Sequence, residues 1–399
     1  MKVLYVCHRV PFPPKRGGKI RPFNMIRHLN GQGHEITVAS LARSVDEAEE
    51  ASNLAQHCHK TLVVVNTIKS ALPRMLMNVA GPTPSSFGYF WSPRLKRLID
   101  AEIQHTQYDL AFVHCSSMAP YVANLKGPAK MLDFGDMDSQ KWREYAAHRR
   151  FPLSAIYGLE AVKLERVERL QGAQFDFCSC TTAAEFETMR TLGVTVPGDW
   201  FPNGVDAGYF HPGESTPDPL TIAFVGRMDY YPNQQGVSWF CSELWPLLRQ
   251  RHPHLKFLVV GADPPAKIRE LGRIPGVTVT GSVADVRPYV QTAALTVAPL
   301  SIARGTQNKI LESMAMATPV ICSAQAAGGV DAVPGEHLLS ANGVAEWLDA
   351  IDRVIMQPAL RTRLALAARQ RVLSNHSWQA SMAKLDRLIG GVLQRKNIN

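Results

Sequence analysis

Short apolar runs alternate with amphipathic stretches along the first half of the chain. Lys2–Cys7 predicts a strand, and the Pro- and Gly-rich residues behind it, through Gly18, a loop. A helix is predicted over about Ile20–Asn30, ending at Gly31-Gln32-Gly33. His34–Ser40, Thr61–Asn66, Leu110–His114, Lys130–Phe134 and Phe175–Cys180 read as further strands. Between them, Ser154–Leu170 has apolar residues at near-helical spacing, namely Ile156, Leu159, Val162, Leu164, Val167 and Leu170. Strands that are apolar throughout and separated by helices imply a parallel sheet with crossover helices.

The stretch from Asn203 to Pro219 is rich in Pro and Gly and reads as a linker, after which the pattern restarts. Leu220–Val225, Lys256–Val260, Val277–Thr280, Leu295–Pro299 and Pro319–Cys322 predict strands; Val237–Arg251 and Gln307–Ala317 predict helices, and the tail from Ala345 is mostly helical. The fold class is therefore α/β, with two Rossmann-like domains expected to face a cleft. The first covers 1–205 and the second 206–377. Ligands of such sheets sit beyond the carboxyl ends of the strands, so the strand-to-helix loops are where chemistry is expected.

Composition narrows the class. The chain has 399 residues, 46% hydrophobic and 19% charged, enough for two proper cores. Its net charge is +9, and the excess is local: residues 1–30 hold seven Lys or Arg and no carboxylate. That suits an anionic small ligand or lipid headgroups and lacks the dense basic tracts of a nucleic-acid binder. No apolar run is long enough to span a membrane, and the N-terminus reads as a strand, not a signal peptide. Seven scattered cysteines without a CxxC pair fit reduced thiols, so a cytoplasmic location is expected.

Several loops carry candidate chemistry. Gly17-Gly18 precede a helix, beside Lys15, Arg16, Lys19 and Arg21, and could admit a phosphate or form an ordinary turn. His114 ends a strand and could bond a sugar hydroxyl or be satisfied by backbone. Asp136 and Asp138 form a D-x-D that could hold Mg²⁺ or Mn²⁺, cap a helix or pair with Arg143. A polar role at a cleft wall is preferred to metal binding. Arg227, after Val225-Gly226, could offer a guanidinium fork to a diphosphate. The turn Arg304-Gly305-Thr306-Gln307-Asn308 opens a helix on which Lys309 and Glu312 share a face. The pair could serve a nucleotide, as cation for phosphate and carboxylate for ribose, or form a plain salt bridge.

Taken together these loops resemble glycosyltransferase family 4. The resemblance rests on Gly17-Gly18, on Gly33-His34-Glu35-Ile36-Thr37-Val38, and on Phe201-Pro202-Asn203-Gly204-Val205-Asp206 with Phe210-His211-Pro212. It continues in Phe224-Val225-Gly226-Arg227 and in Lys309-Ile310-Leu311-Glu312-Ser313-Met314-Ala315 through Thr318-Pro319-Val320-Ile321. A narrower resemblance, to sugar transferases of PEP-CTERM/exosortase exopolysaccharide systems, is carried by Met228-Asp229-Tyr230-Tyr231-Pro232-Asn233, by Gly281 through Tyr289, and by Asp133 through Trp142.

The resemblance implies a GT-B fold whose C-terminal helix, about 378–399, packs back on the first domain. It implies a retaining transferase that moves a sugar from a nucleotide-diphosphate sugar to a glycan or polyprenyl-diphosphate-linked acceptor. Arg227 and Lys309 would bind the diphosphate, His114 would bond the donor sugar, and Glu312 would hold the ribose. Asp285 and Val286 would meet the base. Gly17, Gly18, Gly226, Gly305, Thr306, Gln307 and Asn308 would complete the donor site, with Arg21 and Asp136 on the acceptor side. The first Glu of the family's E-x7-E motif is replaced by Arg304, which could face the diphosphate or an acidic sugar. No cofactor and no metal are expected, and no nucleic-acid partner. Peripheral contact with the inner membrane is an expectation, with Phe87-Gly88-Tyr89-Phe90-Trp91 and the basic residues Arg94, Lys96 and Arg97 as a candidate patch. The same patch could be a buried strand-like segment. Other readings of the fold are a nucleotide-sugar epimerase and a catalytically silent binding protein.

Overall fold

The computed structural model describes residues 1–14, 17–214 and 216–398; Lys15 and Arg16 of the glycine loop lie outside the described residues. The chain divides into two units, Met1–Pro202 with Met382–Asn399, and Asn203–Ser381. Each is an all-parallel sheet flanked by helices.

The sheet of the first unit is built from β1 (Lys2–Cys7), β2 (Glu35–Ala42), β3 (Lys60–Val65), β4 (Leu110–His114), β5 (Ala129–Gly135), β6 (Phe177–Cys180) and β7 (Gly198–Trp200). Their order is β3-β2-β1-β4-β5-β6-β7. Val3 to Cys7 are without solvent exposure, as are Leu110 to Val113. Strands covered on both faces must be apolar at successive positions, which is why they stood out as runs without alternation.

The second unit holds β8 (Asp218–Val225), β9 (Lys256–Val260), β10 (Val277–Gly281), β11 (Ala293–Ala298), β12 (Val320–Cys322) and β13 (Leu339–Ser340), in the order β10-β9-β8-β11-β12-β13. Its core joins Phe224, Phe240, Trp245, Phe257 and Trp347. In each unit the chain builds outward from its first strand, then returns to that strand's other side. The reversals fall between β1 and β4 and between β8 and β11. Crevices at such reversals, at the carboxyl ends of the strands, are where ligands of doubly wound sheets bind.

Three departures from the expected elements have physical reasons. The helix expected from Val237 starts at Tyr231, because Pro232 occupies its first turn, where a missing N–H costs nothing. The helix expected over Gln307–Ala317 runs Asn308–Ala315; Ala317 has φ +55°, and Pro319 follows. The aromatic segment 87–91 lies in and just after a short helix, Ser85–Phe90, instead of a strand. Phe87 is buried there, Trp91 lies 4.9 Å from the Tyr121 ring, and Phe90 stands edge-on to His8 at 5.5 Å. That inward packing removes the segment as an exposed interfacial patch. No helix among the described residues is long and apolar enough to cross a membrane.

Candidate functional site

In the second unit, Gly226-Arg227 follow β8 directly. The loop after β9 runs against it: Gly226 N donates to Val260 O at 3.0 Å, and Met228 N to Ala262 O at 2.8 Å. The approach is close enough that a Cβ on Gly261 would sit 1.8 Å from Gly226 O. A Cβ on Gly226 would in turn lie 2.7 Å from Asn233 Nδ2 and 3.3 Å from Lys309 Nζ. The glycine is thus part of the geometry that lets a side-chain amide and an ammonium reach the strand end.

Asn233 is the bridge. It is buried, its Nδ2 donates to Arg227 O at 2.7 Å, and its Oδ1 accepts from Lys309 Nζ. Lys309 also lies 4.8 Å from the centroid of the Phe224 ring, a cation–π distance. Burial pushes the ammonium down to about 7, against the neighbouring Glu312 carboxylate, which raises it. Burial likewise pushes Glu312 up to about 7, with Lys309 opposing. A partly buried pair of this kind can change charge when a ligand arrives.

The turn before the helix Asn308–Ala315 holds Gly305 at φ +62°, a conformation that favours glycine, and Gly329 packs so closely that a Cβ there would lie 2.2 Å from Gly305 O. Thr306 Oγ1 and Asn308 Oδ1 are buried polar atoms without a hydrogen-bond partner. Gln307 Nε2 donates to Arg304 O at 3.1 Å, and Arg304 is half-buried and engaged. Arg227 turns its guanidinium to Asp229, with bonds of 3.1 and 2.9 Å, and to Asp263. These partners hold it protonated. Asp285 is likewise occupied: Arg287 forks onto it at 2.7–3.0 Å and stacks on Tyr209 at 3.9 Å, with the half-buried Val286 between them. The structure therefore brings Gly226, Asn233, Lys309 and Glu312 into one neighbourhood, and keeps Arg227 and Asp285 in pairs of their own.

In the first unit, His114 at the end of β4 lies opposite Asp133 on β5. Its Nδ1 is 2.9 Å from Asp133 Oδ2; the ionised carboxylate only accepts, so Nδ1 carries the proton and Nε2 is left for another partner. Asp133 has no solvent exposure. It also accepts a fork from Arg21, at 2.9 and 3.0 Å, and a bond from Ser179 Oγ at 2.9 Å. Burial alone would raise the carboxyl, yet Arg21 and His114 hold it well below the ordinary range. Arg21 is thereby accounted for. It is 2% exposed, lies 3.7 Å from the Phe201 ring centroid, and donates to Phe201 O at 3.0 Å. It was expected to face an acceptor, but a buried carboxylate needs a buried counter-charge, and Arg21 supplies it. Asp136 is half-buried and accepts from Thr181 Oγ1 at 2.7 Å.

His8, which directly follows β1, was missed, although the rule that selected His114 applies to it equally. Its Nδ1 lies 3.1 Å from Cys115 Sγ, and its ring 5.7 Å from that of His114. Burial pushes its imidazole well below the usual range, so it is neutral at pH 7. Gly18 opens the helix Gly17–Gly31 beside it; a Cβ there would stand 3.8 Å from His8 Nε2. His8, His114 and Cys115 bring their ligand atoms within 4.8 Å of one another, but His114 Nδ1 is taken by Asp133. Each strand reversal thus carries a group of polar side chains, histidines in the first unit and an ammonium–amide pair in the second.

Residues 219–357, which lie within the second unit, match the family model described as Glycosyl transferases group 1. D-inositol 3-phosphate glycosyltransferase of Actinosynnema mirum is 32% identical over 192 residues, which cover 41% of this chain and 45% of that protein. The chain thus spans under half the length of that relative. Among solved structures, sucrose-phosphate synthase from Thermosynechococcus elongatus matches with a TM-score of 0.75 at 18% identity, over 99% of this chain and 100% of the other. HepE of Anabaena, in complex with UDP, matches with a TM-score of 0.70 at 14% identity, over 98% and 100%. These likenesses establish the GT-B fold.

Proposed function

We propose that this chain is a retaining glycosyltransferase that takes a sugar from a nucleotide-diphosphate sugar and passes it to a glycan or lipid-linked acceptor in exopolysaccharide or cell-surface polysaccharide assembly. It would work at the cytoplasmic face of the inner membrane and need no metal. The observation that carries the reading is the meeting of Gly226, Asn233 and Lys309 at the end of β8, inside the segment that matches the group 1 transferases. UDP sugars are the first donors to test, given the UDP bound by HepE.

The chemistry asked of these residues is electrostatic. The anomeric C–O bond breaks, and its electron pair leaves on the diphosphate while positive charge builds on the sugar. The acceptor oxygen attacks from the same face, forms the new C–O bond, and gives its proton to the departing phosphate oxygen. The Lys309 ammonium, the Arg227 guanidinium and the N-terminus of helix Asn308–Ala315 stabilise the leaving charge, so no metal is needed. Thr306 Oγ1 and Asn308 Oδ1, buried without a partner, suit ligand hydroxyls, and the Thr306 hydroxyl can also donate to a phosphate oxygen. Glu312 binds the ribose, and His114 Nε2 in the first unit is the candidate to bond a sugar hydroxyl. Arg304 adds positive charge where the related enzymes carry Glu, which favours an acidic donor sugar such as glucuronate.

The test is a panel of nucleotide sugars, scored first by thermal shift and then by turnover, since a specific donor stabilises by mass action. Lys309→Ala and Arg227→Ala are each expected to lower kcat/KM by roughly 10²–10³-fold, the scale of losing one preorganised charge contact. Full activity and donor affinity in both variants would sink the assignment. Product formed from donor alone would mean an epimerase, and donor binding without transfer to any acceptor a silent binding protein.

A further inference from the structure

Two helices of the first unit turn their apolar sides outward. The helix Ile68–Ala80 buries only Ala71. Its Ile68, Leu72, Leu76 and Val79, spaced four, four and three apart, form one stripe and are 47–61% exposed; Met77 beside them is 77% exposed. On the helix Leu153–Gly172, Ile156, Leu159 and Val162 follow at spacings of three and are 51–59% exposed, and Phe151 just before it is 83% exposed. A helix on the surface of a globular domain normally turns such a stripe to the core.

The stripes belong to one surface. Lys163 Nζ donates to Asn78 O at 2.9 Å and Val79 O at 2.7 Å, which binds the middle of the second helix to the end of the first. One turn earlier, Glu160 accepts from the backbone N–H groups of Ser85 and Ser86, each at 2.8 Å. Those bonds join the two helices at the C-terminal end of the first and the middle of the second, so their exposed apolar residues lie on neighbouring elements of one unit.

Charge selects the occupant. The helix Ile68–Ala80 carries the exposed Lys69 and no Asp or Glu, its Arg74 being turned to Asn66 Oδ1 and Gly88 O, and His148-Arg149-Arg150 lead into Phe151. The nearest carboxylate on the second helix, Glu160, is buried and committed to Ser85 and Ser86; Glu165 pairs with Arg143. A second copy of the chain on this face would set basic flank against basic flank. Anionic headgroups complement it, with the aliphatic stripes and Phe151 entering the acyl boundary and the cations staying at headgroup level.

We propose that the face formed by helices Ile68–Ala80 and Leu153–Gly172 docks the first unit on an anionic lipid bilayer, lying in the interface without spanning it. The proposal goes beyond sugar transfer and rests on the surface alone, so it can fail while the transfer reading stands, and the reverse.

The test is co-sedimentation of the full chain with vesicles of phosphatidylglycerol and phosphatidylcholine, against vesicles of phosphatidylcholine only. The chain should pellet with the anionic vesicles, stay in solution over the zwitterionic ones, and bind less as salt rises. The double variants Leu76→Glu with Met77→Glu, and Ile156→Glu with Val162→Glu, should each lower the bound fraction about tenfold or more. All four positions are exposed, so melting temperature and donor-induced thermal shift should match the parent. Lys69→Glu with Arg150→Glu should weaken binding and flatten its salt dependence. The proposal is overturned if the parent stays in solution over anionic vesicles, if the glutamate variants pellet as the parent does, or if light scattering shows a dimer that these variants dissociate while vesicles are ignored.

Discussion

Arg227 and Lys309 share one expected ligand but stand in different electrostatic states. Arg227 is held by Asp229 and Asp263, so a diphosphate must compete with two carboxylates for it. Asp263→Asn should therefore tighten donor binding a few-fold, read by calorimetry. Asn keeps the shape of the side chain and tolerates the residue's φ of +56°. Weaker binding would mean that Asp263 orients Arg227 for the ligand instead of competing for it. Burial has brought the Lys309 ammonium down to about 7, so its charge responds to pH near neutrality. A diphosphate favours the ammonium form and raises that value, so binding above pH 7 takes up a proton. Affinity should fall as pH rises from 7 towards 9, and calorimetry in buffers of different ionisation enthalpy should show uptake approaching one proton at pH 8. Lys309→Met should lose that uptake along with most of the affinity. Of these residues, Lys309, Arg227 and His114 were legible because each stands at a strand or helix end in a recognisable string. Asn233's role was not, and Arg21 stood out only as a basic residue near the glycine loop, without its carboxylate partner. Asn233 acts through a carbonyl and an ammonium that the fold brings to it from 6 and 76 positions away, and Arg21 answers a carboxylate 112 positions on.

Among the elements, the buried strands could be read from sequence because a parallel strand covered on both faces is mostly apolar at successive positions, and these runs are short and bounded by polar or turn residues. The edge strands Gly198–Trp200 and Leu339–Ser340 could not, being two or three residues long and only half-buried in part. The helix Ile68–Ala80 escaped for a different reason. Its apolar stripe has helical period, but Pro73 lies within it and no core receives it. Between β8 and β9 the determining feature is backbone contact, which periodicity does not report. Gly261→Ala would force a methyl to 1.8 Å from Gly226 O, so the loop carrying Arg227 must move. Its cost should be about 3–5 kcal/mol in urea unfolding of the second unit, the range of severe core overlaps, with donor binding lost alongside. Gly272→Ala is the control. Its new Cβ would meet nothing nearer than 3.8 Å, and it should be close to neutral. Equal behaviour of the two variants would remove the loop contact as the reason for the glycine.

At the level of the whole molecule, the chain passes from the first unit to the second after Pro202 and returns after Ser381. The return brings the helix Trp378–Ile398, most of which belongs to the first unit. Within that unit Met382, Leu385, Ile389 and Val392 are at most 3% exposed, at helical spacing. His28 Nε2 lies 2.9 Å from Asp386 Oδ1, and Lys384 Nζ stands 4.0 Å from the Trp200 ring centroid, beside the edge strand β7. The first unit is therefore incomplete without the helix after Ser381, although almost all of its sequence precedes the second unit. Leu385→Ala should cost about 2–5 kcal/mol, the usual range for emptying a buried leucine site. The loss should fall on the first unit alone. A transition that reports on Trp200 should move to lower urea, while donor binding by the second unit holds at concentrations where the first is already destabilised. A chain ending at Ser381 should show the same split more strongly. If Leu385→Ala instead lowers both transitions together, the two units unfold as one cooperative body, and the closing helix stabilises the molecule rather than the unit it packs on.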